Sequence, residues 1–375
     1  MAVDFYRHAL GEDEKKAVSE VLDSLFLTTG RRVYEFEAAF AATIGVPAVV
    51  CMAHATAALH VAMLAAGVGP GDEVITTPMT FLSSANCVLY AGGTPVFVDV
   101  GLATANIDPA AVEAAISSRT KAIVAVDLYG LLADLPALRA IADRHGLVLV
   151  EDAAHCVEGR RDGHGPGQLA DYGCFSFYAT KNLTCGEGGA ISARDGAKKD
   201  LLRQLSTHGM SRNAADRYAG KYQHWEMERL GYKYNLSDVN AAMLLPQLPK
   251  LAGRLARREA ICRRYEAAFR ETPGVSFPIV PEGAVSARHL FTIWVDPERR
   301  DGILAAIQSK GVGVAVNYRA VHLTKYYSER FGFRRGMFPN AERIGDSTIT
   351  IPLWPAMTEA QVDEVIAAVR SAVAA

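Results

Sequence analysis

The sequence has no run of about 18 or more apolar residues, no paired CxxC cysteines and no marked excess of charge of either sign. The first absence excludes a membrane-spanning helix, which needs roughly 20 consecutive apolar residues to cross the hydrocarbon layer. The amino-terminal stretch MAVDFYRHALGEDEKK also lacks a long apolar segment of the export-signal kind, so no secretion is expected. The six cysteines, Cys51, Cys87, Cys156, Cys174, Cys185 and Cys262, are scattered without metal-ligand spacing. They read as reduced thiols in a cytoplasm, with no metal site. Cys185, although close to Lys181, reads as a buried structural thiol. A formal net charge of −2 argues against a nucleic-acid partner.

What is present is an ordinary globular composition, 50% hydrophobic and 21% charged over 375 residues. That length exceeds the usual single domain and predicts a large domain followed by a smaller one. Short apolar, β-branched runs recur through the first half: Val49 to Met52, Val74 to Thr77, Pro95 to Val98, Ala122 to Val126, Leu147 to Val150, Cys174 to Phe177 and Gly189 to Ser192. Most are continuously apolar rather than alternating, as strands covered by helices on both faces must be. Between them, Thr56 to Ala66 reads as a buried helix, and Pro109 to Ser117 and Pro136 to His145 as amphipathic ones. The texture changes near Leu245. A helix over Leu248 to Thr272 is followed by a strand at His289 to Val295, a helix at Asp301 to Lys310, a strand at Val312 to Asn317 and a last helix at Glu359 to Val373. The class is α/β, with domains at 1–245 and 246–375.

Four segments carry a constellation suited to an aldehyde cofactor, which needs an amine, a carboxylate for a ring nitrogen, a flat group against the ring and a phosphate cradle. All four sit at strand ends, where open α/β sheets bind ligands. Lys181, in SFYATKNLTCGEGG, follows an apolar strand and precedes a glycine-rich turn. Burial there lowers an amine's pKa and frees its lone pair; a surface-loop lysine is the plain alternative. Asp152, in VLVEDAAHCVEG, ends another apolar strand and needs a cation if buried, unless it is a helix N-cap. His155 could approach the cofactor's phenolic oxygen or be a satisfied structural histidine. In CMAHATAALH, Ala55 and Thr56 open a helix and offer backbone N–H groups to phosphate, though a threonine N-cap explains the same string. Ser176 is a further phosphate-ligand candidate, against an ordinary strand serine. Phe81, just after a strand end, could lie on the cofactor ring or simply be a core aromatic.

With LTTG at Leu27 to Gly30, GDEVITTPMTF at Gly71 to Phe81, EDAAH at Glu151 to His155, THGM at Thr207 to Met210 and LGYKYNLSDVNAAM at Leu230 to Met243, these strings resemble the sugar-aminotransferase (DegT-type) family over essentially the whole chain. Within it, ATAALH, KNLTC, GYKYNL with DVNAA, and NYRAVHLTKYYSERF are most similar to the branch making UDP-4-amino-4-deoxy-L-arabinose. The resemblance implies a fold-type I transferase dependent on pyridoxal 5′-phosphate, whose large domain has a mainly parallel seven-stranded sheet between helices and whose small C-terminal domain is α+β. It also implies Lys181 as the catalytic residue, glutamate as amino donor with 2-oxoglutarate released, pyridoxamine phosphate as the intermediate coenzyme form, and a nucleotide-linked 4-keto sugar as acceptor. The product class would be amino sugars of the lipopolysaccharide kind. A homodimer with shared active sites follows, with Asn235 reaching the neighbouring subunit's coenzyme phosphate, and Thr28, Tyr318 and His322 near substrate.

Departures from the family pattern are His54-Ala55-Thr56 in place of serine-glycine-threonine, Phe81 where the arabinose branch has tryptophan, and Asp127 where many members carry histidine. Other readings are a keto-cyclitol acceptor or a non-catalytic coenzyme-binding regulator. A sugar dehydratase is disfavoured, since such members carry histidine at the lysine position.

Overall fold

The computed structural model describes residues 3–211 and 224–375. Helices α1 (Glu12–Leu22) and α2 (Arg31–Ile44) lead into β1 (Ala48–Met52) and α3 (Ala55–Ala65). Strands and helices then alternate: β2 (Glu73–Thr76), α4 (Ser83–Tyr90), β3 (Thr94–Phe97), α5 (Pro109–Ala114), β4 (Thr120–Val126), α6 (Leu135–His145) and β5 (Val148–Asp152). A short β6 (Arg160–Arg161) precedes β7 (Tyr172–Ser176) and β8 (Gly189–Ala193). Seven of these strands form one sheet in the order β1-β8-β7-β5-β4-β2-β3. Only β8 runs against its neighbours, pairing antiparallel with both β1 and β7.

Alternation along each strand divides the core. Val50, Met52, Val74, Val124, Val150 and Ile191 pack on one face with Leu59 and Met63 of α3. Val49, Cys51, Phe175 and Ala190 pack on the other with Phe36 and Phe40 of α2, and Ile75, Ile123 and Leu149 with Leu138 and Ile141 of α6. A strand presents successive side chains to opposite faces, so a sheet sandwiched by helices must be apolar at every position. The strands predicted from the sequence are these seven, with ends differing by a residue or two.

After α7 (Lys199–Ser206), α8 (Asp238–Leu244) and α9 (Leu251–Arg270), the chain forms β9 (Ala284–Val285), β10 (Phe291–Trp294), α10 (Arg300–Ser309), α11 (Lys325–Phe331), α12 (Pro339–Ser347), β11 (Thr348–Ile351) and α13 (Glu359–Ala374). Ile261, Tyr265, Ile293, Ile307, Ile349 and Val365 gather here into a separate apolar cluster. Two expectations change. The helix predicted from Leu248 begins at Leu251, because Pro246 and Pro249 turn residues 245–250 into a 3-10 segment. No strand forms over Val312 to Asn317; Val312 bridges only Val3, and Ala315 only Thr350. Gly313 lies between, with the backbone of Phe5 so close that a Cβ there would come 2.6 Å from its nitrogen.

Candidate active site

The sheet register lines up one edge of the molecule. Val126 pairs with Asp152, Asp152 with Cys174, Ser176 with Gly189, and Gly189 with Met52. The carboxyl ends of β1, β4, β5 and β7 therefore meet side by side, and a cavity of about 650 Å³ opens over them. Into it come Ala55, Thr56, Phe81, Asp152, His155, Ser176, Lys181 and Tyr318, all expected from the sequence.

Lys181 stands one turn beyond β7, its N–H donating to the Tyr178 carbonyl at 2.9 Å. Burial brings its amine down to about 8, against the opposing attraction of Asp152. Burial thus makes the uncharged, nucleophilic form far more accessible near neutral pH than for an ordinary lysine. Asp152, 4% exposed, ends β5. Its Oδ2 accepts from Ser84 Oγ at 2.6 Å, its Oδ1 from Ala154 N at 3.1 Å, and Thr80 Oγ1 lies 2.7 Å from Ser84 Oγ. Burial raises its pKa, while Ser84, the Ala154 N–H and Lys181 pull it back. A buried carboxylate so solvated, yet in no ion pair among the described residues, is prepared for a cation delivered through the cavity.

The opposite wall is the start of α3. His54 caps it, Nδ1 accepting from Ala57 N at 2.9 Å, so the N–H groups of Ala55 and Thr56 lie in the first turn, where no intrahelical acceptor exists. Gly189 keeps this end accessible: a Cβ there would lie 2.5 Å from Ala55 N. With Ser176 alongside, 7% exposed, the donors suit a phosphate.

His155 faces the same space. The Tyr129 N–H donates to its Nδ1 at 3.2 Å, so the proton of the neutral ring is on Nε2, 3.1 Å from the Tyr318 hydroxyl. Burial, aided by Lys181, holds this histidine well below its usual range and therefore neutral. Phe81 is 54% exposed, unusual for so large an apolar ring, and sits 5.7 Å from the Tyr318 ring at the cavity mouth. Cys185 is buried, its thiol pushed up to about 12 by desolvation, which fits the structural reading.

Three expected residues do not line this cavity. Asn235 donates to Thr28 Oγ1 at 3.2 Å and Thr29 Oγ1 at 2.7 Å, so Thr28 and Asn235 meet each other instead. His322 is fully buried, with Nε2 3.1 Å from Glu342 Oε1 and its ring against Phe338. Glu342, itself receiving the Gly336 and Phe338 N–H groups, draws the imidazole inward and away from the cleft. Conversely, Ser84, Thr80, Tyr129, Asn182 and His289 were not read as site residues. Their roles arise from contacts across the chain; Thr80 and Asn182 lie inside the strings quoted above, but nothing in those strings singles them out.

The donor set fits pyridoxal phosphate. A desolvated amine, an unpaired buried carboxylate, a helix N-terminus with a serine, and an exposed aromatic share one cavity, each matching one part of that molecule. Comparison with known proteins agrees. The spore coat polysaccharide biosynthesis protein SpsC of Bacillus subtilis (strain 168) is 42% identical over 370 residues, covering 97% of this chain and 95% of its own. The sugar aminotransferase Spr1654 of Streptococcus pneumoniae, in its PMP form, superposes with a TM-score of 0.94 at 29% identity, covering 99% of both chains. PseC of Helicobacter pylori, an aminotransferase of pseudoaminic acid biosynthesis, gives 0.92 at 27% identity, again over 99% of both. A family model matches residues 8–370, and the chain belongs to the DegT/DnrJ/EryC1/StrS aminotransferase family.

Proposed function

We propose that this aminotransferase carries an amino group from glutamate to a nucleotide-linked 4-keto sugar, with Lys181 as its catalytic residue and pyridoxal phosphate as its coenzyme. The observation that carries the reading is the pairing, in one cavity, of the desolvated Lys181 amine with the buried Asp152 carboxylate. Bound there, the coenzyme supplies a carbonyl that condenses with amines and a ring that accepts the electron pair released at carbon. Lys181 would anchor it. Asp152 would face the ring nitrogen and keep its proton in place. Ala55, Thr56 and Ser176 would take the phosphate, His155 the phenolic oxygen, and Phe81 the ring face. Lys181 Nζ, with its pKa brought to about 8, takes up and returns the proton of the donor's α-carbon.

Sugar as the acceptor class is supported by the relatives, two of which are named for polysaccharide or sugar-acid biosynthesis. A homodimer with shared sites is supported by Leu25, Leu27 and Leu230, which are 80%, 51% and 70% exposed beside Thr28 and Asn235. In that arrangement Asn235 serves the partner's phosphate. The separate apolar cluster of the C-terminal third supports a small domain over 246–375 beside a large one over 1–245.

The test is a screen of the pyridoxamine-loaded protein against UDP-, GDP- and dTDP-linked keto sugars, following return of the pyridoxal absorbance. One of these sugars should restore it in a single turnover. Response to a keto-cyclitol alone would overturn the acceptor, and full turnover by Lys181→Ala would overturn the catalytic assignment.

A further inference from the structure

The amine of Lys181 has a neighbour outside every sequence motif. His289, 4% exposed on the approach to β10, places Nε2 3.4 Å from Lys181 Nζ. Such contacts are commonly long in the free protein and tighten when the site is loaded. The other imidazole nitrogen, Nδ1, lies 3.4 Å from Asn182 Oδ1. The far end of that amide fixes which atom is which. Asn182 Nδ2 donates to the Ala287 carbonyl at 2.7 Å and to Glu158 Oε2 at 3.0 Å. Both are acceptors, so the amide oxygen must face the histidine. Because an amide oxygen only accepts, the proton of the neutral ring resides on Nδ1, and the lone pair of Nε2 points at Lys181. Behind Glu158 stands Arg258 of α9, 3.9 Å away, so the chain of contacts ends on a fixed cation.

We infer that His289 is a positioning residue for Lys181: it accepts a hydrogen bond from the amine, stops its rotation about Cε–Nζ, and confines the transferable proton to the cleft side. The inference rests on the proposed reading of Lys181 as the amine that moves the substrate proton. The surrounding charges keep His289 an acceptor. Burial, Lys181, His155 and Arg258 all hold its ring well below the ordinary histidine range, while Glu158 lies across the intervening amide. Asp152, at the end of β5, acts on Lys181 from the other side and favours its charged form. The two histidine rings, His155 and His289, lie 4.5 Å apart and close that wall of the cavity against solvent.

The test uses full-length holoenzyme carrying His289→Leu, His289→Gln or Asn182→Leu. Two readouts are taken: the single-turnover rate with the amino donor across pH, and the pH midpoint for reductive methylation of Lys181 after coenzyme removal, scored by mass spectrometry. His289→Leu should slow the turnover about 10–100-fold with little change in the donor's KM, because the amine is no longer held in line. Its labelling midpoint should fall by roughly one unit, because the charged amine has lost its acceptor. His289→Gln, whose amide oxygen can accept, should recover most of the rate. Asn182→Leu, which frees the imidazole to turn an N–H toward Lys181, should resemble His289→Leu although the histidine remains. Equal behaviour of the leucine and glutamine variants, or an unmoved midpoint in folded protein, overturns the inference. Borohydride fixation of the coenzyme separates the two levels. Fixation at a residue other than Lys181 overturns the reading of Lys181 and this inference with it, whereas fixation at Lys181 with an unmoved midpoint overturns the inference alone.

Discussion

Ser84 Oγ donates a 2.6 Å hydrogen bond to Asp152 Oδ2, across 68 positions of sequence. The hydroxyl stabilises the charged carboxylate that burial would otherwise neutralise. Ser84→Ala should therefore raise the pKa of Asp152 and weaken its hold on a ring nitrogen. A lost hydrogen bond to a charged group costs about 1.5–3 kcal/mol, so coenzyme affinity should fall on the order of 10- to 100-fold. Titration of the coenzyme-free protein with pyridoxal phosphate measures this, and an unchanged affinity would remove Ser84 from the site.

Gly189 is where β8 meets the first turn of α3. In Gly189→Ala the new methyl would press on the backbone of His54 and Ala55, both of which a Cβ approaches within 2.5 Å. Neither contact is a flexible side-chain tip, so the helix start must shift, at a cost of about 1–3 kcal/mol. Phosphate binding should suffer more than the fold. A loss of coenzyme affinity exceeding the loss of thermal stability, read by titration and by melting, is the expected pattern.

Asp127, one residue past β4, and Glu151, in the adjacent β5, are both fully buried, each with one carboxylate oxygen lacking a hydrogen-bond donor. A shared proton between them satisfies both. Burial and mutual repulsion push Asp127 well up, and burial raises Glu151 to about 7. Folded values above unfolded ones mean stability that is fully present below the ordinary carboxylate range and lost as pH rises through about 7. The melting temperature should fall over that window. Asp127→Asn supplies a permanent donor to Glu151 and should flatten the profile, whereas an unchanged slope would exclude the shared proton.

His322→Ala distinguishes a buried partner of Glu342 from a substrate ligand. Removing a buried imidazole from Glu342 should lower stability by about 1–3 kcal/mol, while leaving KM for donor and acceptor near their original values. A selective rise in KM for the sugar would restore the residue to the substrate site.

Shared active sites can be examined by mixing inactive subunits. If Asn235 serves the partner's coenzyme, dimers of Lys181→Ala with Asn235→Ala place both defects in one site and leave the other intact. Reassembly of the two inactive proteins should then recover a fraction of the activity. No recovery in verified mixed dimers would count against the arrangement.

The sheet was legible because most of its strands are near-continuous apolar runs, so seven short runs stood out against the helical segments. Lys181, Asp152 and Thr56 were legible for a related reason: each follows an apolar strand, and strand ends are where a ligand is met. Ser84, Asn182 and His289 were not. They act through partners such as Asp152 and Lys181, the latter 108 positions from His289, and residue type alone does not distinguish a supporting hydroxyl, amide or imidazole from an idle one. The strand expected over 312–317 failed because its apolar residues serve single bridges to two different segments. Thr28 and Asn235 were expected near ligand and coenzyme, yet in a single subunit the Asn235 amide turns to Thr28 and Thr29, while its backbone bridges Met52 at the end of β1.

The lone reversed strand has a mechanical consequence. Ser176, ending β7, is the register partner of Gly189, beginning β8, so the segment bearing Lys181 leaves and rejoins the sheet at a single rung. The Lys181 nitrogen is tethered like the apex of a closed loop whose two feet are riveted together. Shortening that loop by one residue would draw the apex out of line while both feet stayed put, parting the ability to grip the coenzyme phosphate from the ability to react.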